Sequence, residues 1–484
     1  MTEHGTRPVV VAFLSYSIFS FIAILVAFLS LLSISTGSAR FPLVPLSLLP
    51  ALLLATLFVV LLRRFGSSAR TLFLLLAIPS AFAFALFILP DQIPDEIWHI
   101  FRVLNFWKSG NGDMLAPTAL TYGEMPTTYA ALANCLSQPA DWQNLYTVTR
   151  DMSSYLSHLY LIPGLAAGMG QLLDLNPFVV IYMARLANAL LFLFAGFWII
   201  SIMPFGKTPT AIYLLNPVMI QQAASCSADA MVNIITLLFI AVVIRYLRKE
   251  HLNRRDICII AGLAFLVCIS KYAYAPLLLL LFGFLPRAKK RAVRIAIPVT
   301  FFVLSLAAIC FVLIFYRQGT FEATVELMRT PGTCASVLIN TVFIAGPFWV
   351  ETFAGQALGI LTINPWVPAF WAYCIVLLMS PICNNDDDET NLSSMEKWIS
   401  ALIVIISIGM ITLALRDWSM SVDKNYDYIS GVQGRYFIPF LLLPILGLVR
   451  KDGSARRSHT NEVYALAMAF IFLLDVFAII AKFN

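Results

Sequence analysis

The sequence predicts an all-α, polytopic integral membrane protein, and three observations carry that prediction. Of its 484 residues, 60% are hydrophobic and 12% charged. Several stretches run for about 18 residues or more almost without charge, the length needed to cross a hydrocarbon core ~30 Å thick. The basic residues, which leave a net charge of +6, sit in short loops between those stretches and not on one soluble face. Nucleic acid is therefore not an expected partner.

The first apolar run follows MTEHGTRP. It is long and ends on no small-residue cleavage site, so it is expected to be a retained membrane helix and not a removed signal peptide. Thirteen spans are expected, at roughly 10–35, 43–62, 71–90, 178–203, 208–222, 224–246, 256–270, 273–286, 295–316, 366–382, 399–415, 432–449 and 463–481. Two of them, 208–222 and 273–286, are short. Each adjoins a Pro or polar break, Pro217 with Gln221 and Gln222 in one case, Ser270, Lys271 and Pro276 in the other. Broken helices are tolerated in a membrane where they line a cavity or are buried in protein.

Orientation follows from the loops. Arg63, Arg64 and Arg70 bracket one, Arg245, Arg248, Lys249, Arg254 and Arg255 fill a second, Arg287 to Arg294 a third and Arg450 to Arg457 a fourth. Basic residues in short loops mark the cytoplasmic side, and the acidic run at 386–389 weighs little against them. With the N-terminus inside, thirteen spans put every basic loop on that side. The expectation is one transmembrane domain over 1–484 in the inner (cytoplasmic) membrane. Residues 91–177 and 317–365 form two large extracytoplasmic loops that do not cross. The segment YLSHLYLIPGLAAGMGQLL in the first suits an interfacial or re-entrant helix, and insertions this long are usually functional. Six of the eight cysteines lie in or beside apolar segments. Cys135 and Cys334 fall in the external loops, where a disulfide between them is open.

Within this topology the rare polar residues gather on one side. Arg185 lies roughly 13 Å in from the outer end of its span, and Asp229, in SADAMVN, about 10 Å, at 1.5 Å per residue. Lys271, in SKYAYAP, is at the tip of a hairpin, and Arg435, in GVQGRYFIP, opens a late helix. Intramembrane charge is expensive and normally faces a cavity or a partner. Each residue alone has a bland explanation: Lys271 and Arg435 as snorkelling cations, Arg185 and Asp229 as a structural ion pair. Their common depth points to one external-facing site.

The stretch PDEIWHIFRV, residues 94–103, supplies the acids. Pro94 suits the first position of a helix, with Asp95 and Glu96 in its first turn, where the dipole favours them. Asp95, His99 and Arg102 then share a face, and Glu96 points about 100° away. Acid, imidazole and guanidinium on a half-dry face resemble a general-base arrangement.

An acidic pair in the first large external loop of a many-helix protein resembles the GT-C glycosyltransferases, which use polyprenyl-phosphate sugars. More narrowly, PDExxH, SADA, SKYAYAP and GVQGRYFIP together resemble a widespread bacterial membrane-protein family related to those enzymes, over residues 90–445. Around ALGILTINPWVP the sequence departs from that family's Gly- and Trp-rich pattern, and no role is carried over there. The resemblance implies sugar transfer, usually inverting, from a polyprenyl-phosphate donor to a polysaccharide or lipid-linked glycan acceptor, such as O-antigen or cell-wall glycan. Undecaprenyl-phosphate glucose is the donor that analogy suggests.

Such chemistry needs a carboxylate to take the acceptor's proton and cations to hold the departing phosphate. Asp95 is the expected base, with Glu96 orienting the acceptor or serving as base if the helix is rotated, and His99 tuning the carboxylate. Arg435 is first choice for the phosphate and Lys271 second, with Gln433 and Tyr436 as hydrogen-bonding partners and Arg102 nearby. Gly431 and Gly434 would admit backbone N–H groups to the phosphate. Arg185 and Asp229 are expected to hold the walls. No His/Cys/Asp cluster has metal-ligand spacing, so no tightly bound cofactor is expected, with a weak Mg²⁺ on Asp95 and Glu96 the one opening. Rival readings are a transporter or flippase of a lipid-linked glycan, a polysaccharide polymerase or ligase, and a structural membrane partner. The absence of a visible repeat and the outward charges weigh against transport.

Overall fold

The computed structural model describes residues 3–37, 43–65, 68–107, 114–121, 125–148, 155–287, 322–383, 390–450 and 460–484, with isolated positions between 298 and 306. The expected span at 295–316 and the acidic run at 386–389 lie outside the described residues. The chain is helical almost throughout, and seven helices among the described residues are long and apolar enough to cross a membrane. Three shorter apolar helices, Tyr272–Pro286, Val367–Met379 and Gly434–Gly447, accompany them.

Helices α1 (Glu3–Ser35), α2 (Leu43–Phe65) and α3 (Ala69–Phe87) come first. Ser68 starts α3 by accepting the Thr71 N–H, one of the donors a helix start leaves unpaired. α3 is the hub. All its residues except Arg70, Leu74 and Pro79 are buried, because it is apolar on every side. It touches α1, α2, α7 (Pro177–Ile202), α8 (Lys207–Leu214) and α9 (Pro217–Ala223).

Between α3 and α7 lie α4 (Glu96–Leu104), a strand pair β1 (Met114–Pro117) and β2 (Leu145–Val148), α5 (Tyr129–Ser137) and α6 (Leu161–Leu172). The strands pair antiparallel, Met114 opposite Val148 and Pro117 opposite Leu145.

The expected span 208–222 is two helices. Asn216 interrupts it, its side chain accepting the Met219 N–H and donating to the Phe353 carbonyl at 2.8 Å, with Pro217 opening the next helix. Then follow α10 (Asp229–Tyr246) and α11 (Arg254–Ser270). The run Tyr272–Arg287 coils as tight 3-10 turns around Pro276, since proline removes a donor the wider helix needs.

The second long insertion holds α12 (Glu322–Met328) and α13 (Pro331–Ala354). The sequence reading leaves 317–365 outside the bilayer. The structure instead shows α13 as one of the seven helices long enough to cross. Its polar Asn340, Thr341 and Glu351 interrupt the apolar pattern, yet Ile339, Phe343, Ile344 and Val350 stand exposed on its surface. Cys334 on this helix and Cys135 on α5 are both free thiols, so the disulfide left open is not formed.

The remaining helices are α14 (Val367–Met379), α15 (Ser394–Ala414), α16 (Arg416–Val422), α17 (Ile438–Gly447) and α18 (Thr460–Phe483). Arg248, just past α10, donates to both Glu396 oxygens at 2.8 Å and to the Asn391 carbonyl. This staples α10 to the start of α15. α10 spans about 25 Å at 1.5 Å per residue, so Asp229 at its other end stands far from that basic loop.

Candidate functional site

Two turns of the chain build the site. In FILPDQIPDE, Asp91 and Asp95 both adopt left-handed backbone, with φ 66° and 63°, a conformation costly for any side chain but tolerated best by Asn and Asp. α4 begins at Glu96, and Asp95 is its N-cap. The expected helix start at Pro94 is therefore corrected by two residues. A cap residue lies outside the helical repeat, so Asp95 does not share a face with His99 and Arg102. The two neighbouring acids part company: the Asp95 side chain is 52% exposed and the Glu96 side chain 0%.

Glu96 meets Arg185 of α7 in a fully buried ion pair. Arg185 Nε donates to Oε1 at 2.8 Å and Nη2 to Oε2. The remaining guanidinium protons go to the carbonyls of Ala85, Ile88 and Leu89. The backbone N–H groups of Cys226 and Asp91 complete the carboxylate at 3.1 and 3.2 Å. With four donors on two oxygens, Glu96 has no capacity left for a substrate. That leaves it no oxygen with which to orient an acceptor, and Arg185 lies beside it as its buried partner. The two carboxylates diverge and form no shared seat for Mg²⁺.

Arg435 sits in a 3-10 turn, Gly434–Phe437, before α17. Its side chain is 4% exposed and bonds to Asp95 Oδ2 at 2.7 Å and Asp229 Oδ2 at 3.3 Å. Nε donates to Gln433 Oε1 at 2.8 Å, and other donors reach the Pro94 carbonyl at 3.4 Å and the Tyr436 hydroxyl at 3.1 Å. A guanidinium has five N–H groups, and all five are engaged. The first-choice phosphate ligand is thus a bracket between the acidic turn and α10.

Lys271 differs. Its Nζ lies 3.8 Å from Asp229 Oδ1, beyond hydrogen-bond reach, and its side chain is 20% exposed. Three tyrosine rings surround it, Tyr436 at 4.8 Å, Tyr274 at 5.8 Å and Tyr155 at 6.0 Å. The ring faces steady the cation without consuming its protons. Asp229, expected in the wall, lies between both cations at the centre of the site.

His99 is 3% exposed and its Nδ1 pairs with the Tyr160 hydroxyl at 2.7 Å. Burial pushes its pKa down to about 4, with Arg435 and Lys271 adding to the shift against Asp229 and Asp95. The imidazole is therefore neutral at neutral pH. It anchors the residues leading into α6 through Tyr160. Arg102 likewise donates to Ser157 Oγ at 3.0 Å, in that same lead-in.

The two glycines serve packing. A Cβ on Gly434 would stand 2.0 Å from the Trp349 carbonyl oxygen and 2.4 Å from the Phe353 nitrogen on α13, and the Gly434 N–H already donates to Thr352 Oγ1 at 2.7 Å. Gly431, at φ 85°, faces the Trp418 ring. Neither offers its backbone to a phosphate in this arrangement.

Sequence reasoning missed Asp91. Burial, and next the Glu96 carboxylate, raise its pKa to about 7. The repeated Pro-Asp of PDQIPD was the available signal. It also missed Tyr155 and Tyr160, which only the fold brings to His99 and Lys271.

Helices of membrane-spanning length surround a buried charge network at one end of the bundle, drawn from α3–α4, α7, α10, α11 and the turn before α17. That makes the chain a polytopic membrane protein with a built polar site. It belongs to the predicted membrane protein family DUF2142, whose model matches residues 80–444, a range that holds every residue of the network. No curated protein and no solved structure matches the chain.

Proposed function

We propose that the protein is a membrane glycosyltransferase that moves a sugar from a polyprenyl-phosphate donor to a surface glycan, an O-antigen or cell-wall polysaccharide. In this reading the chain crosses the inner membrane many times with a GT-C-like arrangement, and the charge network faces the periplasm or exterior. The observation that carries the proposal is a pairing of opposites on one core. A half-exposed carboxylate, Asp95, and an ammonium held 3.8 Å from Asp229 and framed by tyrosine rings, Lys271, both lean on the Arg435–Asp229 pair.

The acceptor hydroxyl oxygen attacks the sugar's anomeric carbon and gives its proton to Asp95. The bond from that carbon to the phosphate oxygen breaks, its electron pair leaves on the lipid phosphate, and the anomeric centre inverts. Lys271 meets the charge that grows on the phosphate. Tyr436 accepts from Arg435 and has its own hydroxyl proton to give. Arg435 holds the Asp95 carboxylate in position through their 2.7 Å contact. A phosphate leaving group needs no general acid.

Purified protein in liposomes with a radiolabelled polyprenyl-phosphate glucose and a glycan acceptor tests the proposal. Transfer by the wild type and none by Asp95→Asn, with donor binding kept, is the expected result. Wild-type turnover in Asp95→Asn overturns the base assignment. Net movement of the lipid across the bilayer with no sugar transfer favours transport.

A further inference from the structure

α6 is tied to the charge network at one end and open along its length. Before it, Tyr160 holds His99, His158 Nε2 meets Ser270 Oγ at 3.2 Å next to Lys271, and Tyr155 faces the Lys271 ammonium. The helix carries no charged side chain. Its buried face is small, Pro163, Gly164, Ala167, Gly168 and Gly170, and it presses so closely that a Cβ on Gly164 would meet Phe106 at 2.4 Å. Its other face shows Leu161, Leu165, Met169 and Leu172, 46, 40, 60 and 88% exposed. Steps of four, four and three residues make one straight stripe, about 16 Å long at 1.5 Å per residue. Trp107, 62% exposed, lies beside it over Gly168. A helix of 12 residues is too short to cross a bilayer, yet this one packs along α7, whose own Leu190, Phe194 and Trp198 are exposed to the same surroundings.

We infer that the α6 stripe is the seat of the donor's isoprenoid tail, which runs from Lys271 along Leu161, Leu165, Met169 and Leu172. This rests on the transferase reading for its head group and adds where the lipid lies. Continuity selects this surface. An apolar groove of about 290 Å³ between α13 and α15, lined by Leu338, Ile339, Val342, Ile405, Ile408, Gly409 and Thr412, holds no residue of the charge network. α6 begins three residues past His158, which touches the neighbour of Lys271.

The test places a photo-crosslinking amino acid at Met169, and separately at Ile405, in full-length protein in phospholipid liposomes doped with undecaprenyl phosphate. Mass spectrometry of the adducts is expected to show isoprenoid enriched at least about fivefold at Met169 over Ile405. Lys271→Ala is expected to abolish the enrichment, and dioleoyl phosphatidic acid to compete poorly. Bulk phospholipid adducts alone at Met169, or equal isoprenoid labelling at Ile405, overturn the inference. Equal competition by phosphatidic acid overturns the isoprenoid preference. Enrichment without sugar transfer in the liposome assay leaves the lipid seat standing and removes the transferase reading, and transfer without enrichment does the reverse.

Discussion

Two adjacent carboxylates should fail in opposite ways. Glu96 is wholly buried and receives Arg185 through two of its five N–H groups. Glu96→Gln leaves a buried guanidinium with a neutral partner, and removing one member of a buried pair costs about 3–5 kcal/mol. Asp95 is half exposed, and its loss leaves Arg435 still paired with Asp229, so Asp95→Asn should cost about 1 kcal/mol or less. At roughly 2–4 °C per kcal/mol, as for larger domains, Glu96→Gln should melt on the order of 10 °C below wild type and Asp95→Asn within a few degrees of it. Thermal unfolding in detergent, followed by the surviving monodisperse fraction, measures both. Arg185→Gln combined with Glu96→Gln should recover part of the loss, because the unpaired charge is gone. A Glu96→Gln protein that melts with wild type, or an Asp95→Asn protein that falls as far, would refute the division of the pair into a structural and a chemical acid.

Three further outcomes follow from the same geometry. Lys271→Ala should weaken lipid-phosphate binding by at least about tenfold with little change in melting, since its ammonium stands 3.8 Å from Asp229, beyond hydrogen-bond reach; equal affinity in a flotation assay removes Lys271 from the phosphate. Gly434→Ala should be among the most damaging surface-to-core changes, because the new methyl meets backbone atoms of α13 at 2.0 and 2.4 Å and neither can rotate away; unchanged expression and melting would contradict it. Asp91, with its folded pKa raised to about 7, contributes full stability below about pH 4, loses it as pH rises through 7, and loses no more beyond. Asp91→Asn, a mimic of the protonated acid, should therefore match wild type near pH 4 and exceed it at pH 8 by up to a few kcal/mol, trimmed by partial solvent exposure. A melting difference that does not grow between pH 5 and pH 8 would count against it.

How much was readable beforehand varies with the kind of residue. The apolar runs announced themselves, because a bilayer demands length and absence of charge and both are linear properties. α3, α7, α10 and α18 begin and end within a few residues of their expected bounds. α13 did not stand out, since its polar positions break the pattern that hydropathy detects. The participants in the site were also visible one by one: Asp95, Arg185, Asp229, Lys271, Gln433, Arg435 and Tyr436 all meet in the fold or just behind it. Their partners were not visible. Arg435 looked available for phosphate and is fully engaged, and Asp229 looked peripheral and is central.

Composition and pattern settled that this chain lives in a membrane and which rare polar side chains are too expensive to be accidental. Folding alone assigned each of them a partner. Asp95 and Arg435 are 340 residues apart and touch, and nothing local encodes that contact. One left-handed residue at the start of α4 turns Asp95 toward solvent and Glu96 toward Arg185. The direction of a side chain depends on the backbone angles and on what arrives from elsewhere in the chain, so acids alike in sequence became a buried strut and a reachable carboxylate.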